Sequence, residues 1–235
     1  MKKRALSVVM LASVISGCGS DDVSISPGKT TPVVTPVVEN ASVCFNESLY
    51  EVGAGYNFTS QRGAETAETE SYKVLEDTRY RGQPAIHFRV TESAKLTENY
   101  IFINTGEKTV SVLGQKTANG ESYYVPGRLS KFNLNKGDSY EQTVTETEVL
   151  SESTNETVTN IKTTFTGFET VTVPAGTYKT CKFEYNASIT MPDGLTQKFT
   201  ASMWYAAEHG LPVQSADSNG TLKKLIKADI NGVKI

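Results

Sequence analysis

Histidine is scarce in this chain of 235 residues, as are most of the groups on which catalytic and metal-binding sites are built: there are two histidines, three cysteines and one tryptophan. His87 lies in PAIHFRV, where Ile86, Phe88 and Val90 share one face of an alternating run and His87 shares the other with Ala85 and Arg89. A solvent-facing strand histidine is the expectation. His209 sits in the turn-like AAEHGLP. One histidine per segment leaves no ligand set for zinc. There is no G-x-S-x-G elbow, and no S-x-x-K followed by K-T-G, to mark a nucleophile. Gly53 and Gly55 in VGAGYNF lack the third glycine of a dinucleotide loop, and the run after them reads as a strand rather than a helix. Asp217, Ser218, Asn219 and Gly220 begin like a calcium loop, but no Glu follows at the required distance. Glu65, Glu68 and Glu70 in GAETAETE invite comparison with the carboxylate pair of glycoside hydrolysis. The stretch reads better as a solvated loop. With 23 Lys and Arg against 26 Asp and Glu, and no basic run, the composition argues against nucleic acid as a partner and against a polybasic membrane patch. These absences predict a protein that is not an enzyme and holds neither metal nor cofactor.

The first residues, MKKRALSVVMLASVISGCGS, set three basic side chains before an apolar run from Ala5 to Ile15. A bilayer-spanning helix needs about 20 apolar residues, so the run reads as a removable secretory signal. Ile15, Ser16, Gly17 and Cys18 resemble the bacterial lipobox, in which the cysteine is lipidated by fatty acyl chains such as palmitate and becomes N-terminal after cleavage. An ordinary signal peptide with a chance cysteine is the other reading. The resemblance implies a signal peptide over 1–17 and a chain tethered to the membrane through Cys18. In the lipoproteins that this segment resembles, Asp directly after the cysteine retains the protein at the inner membrane. Here Gly19 follows, which implies the outer membrane, with the domain facing the periplasm or displayed at the cell surface. Removal of Lys2, Lys3 and Arg4 shifts the formal charge from −3 to −6, with 20 basic against 26 acidic side chains.

Two cysteines then remain, Cys44 and Cys181, in a compartment that favours oxidation. A disulfide between them is the expectation, two buried free thiols the alternative. Residues 18–42 carry two copies of TPVV and no pattern that would bury a face. Such proline-rich chain is extended at about 3.1 Å per residue and reads as a stalk. Residues 43–235 read as a single antiparallel β domain, long enough for a sizeable core.

Period-2 alternation dominates that domain. Cys181, Phe183, Tyr185, Ala187, Ile189 and Met191 fall on one face, and polar residues fall on the other. Pro192, Asp193 and Gly194 supply a turn, and the return run places Leu195, Phe199, Ala201, Met203 and Tyr205 inward. Further hairpins are expected around Arg81 and Gly82, around Thr105 and Gly106, and at Asn219 and Gly220. The Thr- and Glu-rich stretch from Glu141 to Glu169 predicts a long, largely solvated hairpin. No segment shows a sustained helical period.

In ETVTVPAGTYKTCKFEY, Pro174 fixes the first corner of a turn that delivers Cys181 to the inner face. This V-P-A-G-T-aromatic turn, with Trp204, Tyr205, Gly210 and Leu211 after it and Lys136, Gly137 and Asp138 before it, resembles a group of functionally uncharacterised bacterial envelope lipoproteins. The likeness covers about residues 132 to 215, with Pro212 standing where Val is common. It implies an all-β fold: a single curved antiparallel sheet forming an open or half β-barrel, similar to the domains that carry lipoproteins by their acyl chains. It is silent on activity.

Tyr123 and Tyr124, near Phe132 and Leu134, are candidate ligand contacts or core. Trp204 alternates with Met203 and Tyr205, which puts it on the less buried face as a candidate partner contact. The leading expectation is a non-enzymatic lipoprotein that binds an envelope protein or polymer. The alternative is a lipid or acyl-chain carrier, which needs an unfilled apolar cavity.

Overall fold

The computed structural model describes residues 39–93 and 95–235. The signal segment, Cys18 and most of the linker lie outside the described residues. From Glu39 onward the chain forms one compact, all-β unit. Two short 3-10 turns, Ala41–Cys44 and Glu47–Tyr50, come first. Asn40 and Asn46 cap them, each side-chain oxygen accepting a backbone N–H two residues on.

The strands follow in chain order. β1 (Gly55–Arg62), β2 (Glu68–Tyr80), β3 (Gln83–Glu92), β4 (Lys95–Asn104), β5 (Thr109–Thr117) and β6 (Gly120–Lys131) form the first half. β7 (Ser139–Leu150), β8 (Thr154–Val173), β9 (Gly176–Thr190), β10 (Thr196–Ala206), β11 (Pro212–Ala216), β12 (Leu222–Ile230) and the short β13 (Val233–Lys234) complete it. Each strand pairs antiparallel with the next, because short turns of the expected chemistry join them. Pro174 and Ala175 separate Val173 from its partner Gly176, and Arg81 and Gly82 both take positive φ between β2 and β3.

The sheet also closes on itself. β1 pairs with β12 from Tyr56 opposite Ile230 to Arg62 opposite Lys223. The result is a twelve-strand barrel with β13 as an extra strand. Closure removes the two longest exposed edges, which would otherwise present unpaired backbone groups.

Two large clusters and a smaller one around Tyr80, Ala85 and Leu113 fill the unit. Tyr56, Phe58, Val74, Phe88, Trp204, Val213 and Leu225 belong to the larger. Phe132, Phe165, Cys181 and Phe183 belong to the second, with Tyr185 and Tyr205 packed against it. The ring centroids of Phe132 lie 5.6 Å from Phe183 and 5.4 Å from Tyr205, and the rings leave no room for a water-sized body beside Tyr140 and Tyr185.

Three expectations change. Glu39 to Ser42, assigned to the linker, belong to the folded unit: Ala41 is fully buried and its N–H donates to the Leu134 carbonyl. Leu195 and Phe199, expected inward, are 64% and 38% exposed, because the β9–β10 hairpin extends past the packed part of the sheet. Trp204, expected on the less buried face, is only 7% exposed. β10 packs on both faces, Trp204 in one cluster and Tyr205 against the other.

Cys44 and Cys181 form a disulfide across 137 residues. It ties the first 3-10 turn to β9. Nearby, Gly210 sits at φ +74°, and a Cβ there would come within 2.9 Å of the Asn46 Cβ, so only glycine lets this loop seat the second turn. The chain-entropy model gives about 5 kcal/mol for a bridge closing a loop this long. Cys181→Ser, or reduction of the native protein, is expected to lower the melting temperature by roughly 10 °C or more. Thermal unfolding with and without reductant checks this, and equal midpoints would contradict it.

Candidate functional site

The residues singled out by sequence do not converge. Tyr124 is buried, its ring beneath the Arg128 guanidinium at 4.5 Å and its hydroxyl donating to Glu146 at 3.3 Å. Tyr123 faces a different, smaller cluster with Tyr80, Ala85 and Leu113, under the Arg81 guanidinium at 3.4 Å. Phe132 and Leu134 belong to neither environment but to the disulfide cluster. Of the two readings of these tyrosines, ligand contact or core, their surroundings are those of packed side chains. Successive strand residues point to opposite faces, and Tyr123 and Tyr124 obey that rule.

Trp204 is held, not offered. Its indole N–H donates to Glu169 Oε2 at 2.7 Å. Lys182 Nζ approaches Glu169 Oε1 at 3.2 Å and lies 5.2 Å from the indole ring centre. Burial alone would raise the Glu169 carboxyl; the hydrogen bonds from Trp204 and Lys182 and the Lys182 charge outweigh it and hold the carboxyl below its ordinary value. His87 is likewise engaged, half-buried between Glu76 at 3.3 Å and Glu98 at 2.8 Å and stacked on Tyr100. The disulfide takes Cys44 and Cys181 out of any ligand set.

One concavity lies where sequence reasoning did not reach. An open groove of about 600 Å³ crosses β7, β8, β9 and β10, with Ser218 contributing from the loop before β12. One rung of it runs Gln142, Ile161, Ala187, Phe199 across the four strands. The flanking rungs carry Glu141 and Lys162 on one side and Thr143, Asn160 and Lys198 on the other. Thr143 donates to Asn160 Oδ1 at 2.7 Å, and Lys162 lies 3.9 Å from Glu141. The tip of the same β9–β10 hairpin leaves Met191 and Leu195 exposed beside the exposed Phe199. No motif signals such a groove, because it arises from sheet curvature and from neighbours on separate hairpins.

Glu70 is a second departure. It stands on β2, not in a solvated loop, with its side chain 14% exposed and paired to Lys223 at 3.0 Å. Its alternation with Tyr72 on a strand was the available signal. Composition concealed it.

Comparison with known proteins adds the following. The DUF3108-like family model matches residues 108–226. A protein of Parabacteroides distasonis named as a lipoprotein shares 16% identity at a TM-score of 0.52, over 77% of this chain and 96% of that one. An exported protein of Bacteroides fragilis with a YmcC-like fold shares 17% identity at a TM-score of 0.34, over 76% and 96%. The lipoprotein YmcC of Escherichia coli shares 8% at a TM-score of 0.41, over 81% and 87%. Identities this low speak to fold alone. Among curated proteins no match is found.

The Glu169 contacts predict a pH dependence. A carboxyl whose folded pKa is lowered adds stability above its ordinary value of 4.5 and loses it as the pH falls through the lower folded value. Glu169→Gln should melt lower than the parent at neutral pH, with the gap closing in acid. Melting temperatures of both proteins across the acid range check this, and a gap independent of pH would contradict it.

Proposed function

Taking as premise that the chain belongs to the DUF3108-like family, we propose that it is a non-enzymatic envelope lipoprotein, tethered at the outer membrane through Cys18, that binds an extended segment of an envelope partner, protein or polymer, along the β7–β10 groove. The groove is the observation that carries this reading. Strands about 4.8 Å apart give a path of roughly 14 Å across four of them, room for about four residues of extended chain. On the strands that form it, Ile161, Ala187 and Phe199 share one face with Gln142, and the charged, amide and hydroxyl side chains of the flanking rungs stand on the opposite face. The neighbouring exposed Met191 and Leu195 extend the apolar part of that surface.

Two further facts support binding over catalysis or acyl transport. The groups best suited to chemistry are spent on structure: the cysteines in a bridge, Trp204 on Glu169, His87 between two carboxylates. The Phe183 and Tyr185 end of the inward row is closed by the rings of Phe132, Phe165 and Tyr205, which leaves only the Ala187 end of that row, at the open groove, without such a fill.

A photo-crosslinking amino acid at the exposed Gln197, two residues from Phe199 on the same strand and so on the same face, should give one discrete adduct in intact cells, and Phe199→Asp should abolish it. Phe199 is exposed, so the same change should shift the melting temperature by no more than about 2 °C. No adduct, or an adduct indifferent to Phe199→Asp, would count against the groove. Separately, Cys18→Ser should move the protein from the detergent-requiring membrane fraction to the soluble fraction. Retention in the membrane would count against the tether.

A further inference from the structure

A second space, lined by other residues than the groove, lies among β1, β2, β10, β11 and β12. It amounts to about 280 Å³, near the lower end of the range for small-ligand sites. Phe58, Met203, Val213 and Leu225 give it apolar walls, while Ser60, Glu70 and Lys223 bring polar groups to it. Strand register sets this arrangement. Phe58 lies opposite Glu70, Ser215 lies opposite both Met203 and Lys223, and Ser60 lies opposite Leu225, so the side chains stand on one face. The β1–β12 ladder shifts register between Thr59 and Ser60, and such bulges re-aim side chains near functional sites.

The polar groups are not fully used by the fold. Ser60 is 6% exposed, and its Oγ is buried with no hydrogen-bond partner. Native structures rarely leave a buried hydroxyl unpaired without a reason. Lys223 Nζ donates to Glu70 Oε1 at 3.0 Å, which uses one of the three N–H donors of an ammonium. Glu70 Oε2 accepts from the Tyr72 hydroxyl, and each carboxylate oxygen retains a further lone pair. Burial, then the Glu70 carboxylate, push the Tyr72 phenol well above its ordinary value. It stays neutral and adds no charge. Glu70 and Lys223 compensate each other, so a charged ligand would meet a like charge at close range while losing its own hydration.

We propose that this cavity binds a small neutral ligand whose hydroxyl or amide groups both donate and accept hydrogen bonds on a compact apolar body. The ligand's acceptor takes the free donors of Lys223, its donor meets the Glu70 carboxylate, and Ser60 Oγ gains the partner it lacks. Its apolar body lies against Phe58, Met203 and Leu225. The site is independent of the groove reading and of the tether.

Three probes share one ring and differ in charge: vicinal cyclohexanediol, cyclohexanecarboxylate and cyclohexylammonium. Ligand-observed NMR titration on the full chain should show the diol binding with a dissociation constant of about 1 mM or tighter. The two ions should bind at least about tenfold more weakly. Ser60→Ala should weaken the diol by about three- to tenfold, the worth of one hydrogen bond. The same variant should not lower the melting temperature, since it removes a hydroxyl the fold leaves unpaired. Absence of diol binding, equal binding of either ion, or diol affinity unchanged in Ser60→Ala would each overturn the proposal. So would a Ser60→Ala variant that melts lower yet binds the diol as before, because the hydroxyl would then serve the fold alone.

Discussion

The ladder between β1 and β12 joins positions as far apart as Asn57 and Asp229, separated by 172 residues, with the Asn57 amide donating to the Asp229 carboxylate at 3.0 Å. The larger cluster and the cavity lined by Phe58 and Leu225 depend on a sheet held at this seam. Opened there, Phe58 and Leu225 would lose the neighbours that bury them, and Glu70 on β2 would not meet Lys223 on β12. The entropy of closing so long a loop grows only logarithmically with length, so a single ladder of paired backbone groups is sufficient. Its formation is non-local and depends on the intervening hairpins already being in register. The disulfide acts elsewhere, pinning the capped turns at the start of the domain against β9.

What the sequence makes legible is what is local. The β8–β9 corner at Pro174 and Ala175, the β2–β3 turn at Arg81 and Gly82 and the β9–β10 turn at Pro192 to Gly194 all carry their conformations in two or three residues. Alternation then places Cys181 and Phe183 inward. The same rule fails at Trp204, because it presumes one wet face and β10 has none at that level. It fails at Leu195 and Phe199 for the opposite reason: the pattern continues where no second layer remains to bury it. Closure of the sheet, the groove and the Glu70–Lys223 pair share one cause of invisibility. Each depends on residues brought together from separate hairpins, and no spacing within one segment encodes them.

Interior packing is uneven in a way that bears on function. Around β9, aromatic rings occupy the inner face. Burial lifts the Tyr205 phenol to about 12 and the Tyr185 phenol well above its ordinary value. Both remain neutral at any physiological pH, so this end is filled by uncharged rings whose hydroxyls stay protonated. Besides the groove across β7 to β10, free space lies where the sheet is seamed, beside β1 and β12. There the inner face changes from aromatic to ionic.

An inward Glu–Lys pair is a poor device for holding a barrel together, since the desolvation of two charges often matches or exceeds their attraction. A Leu or Met at either position would bury apolar area at about 25 cal/mol per Å² without that cost. The inner face of this sheet is otherwise rich in such residues, so the pair is an exception within its own surroundings. Lys223 bonds Glu70, Glu70 bonds Tyr72, and the neighbouring Ser60 hydroxyl bonds nothing. A network serving stability alone would be complete, because an unfinished one is worse than an apolar core. The incompleteness lies on the side facing the cavity, which is where a bound molecule would finish it.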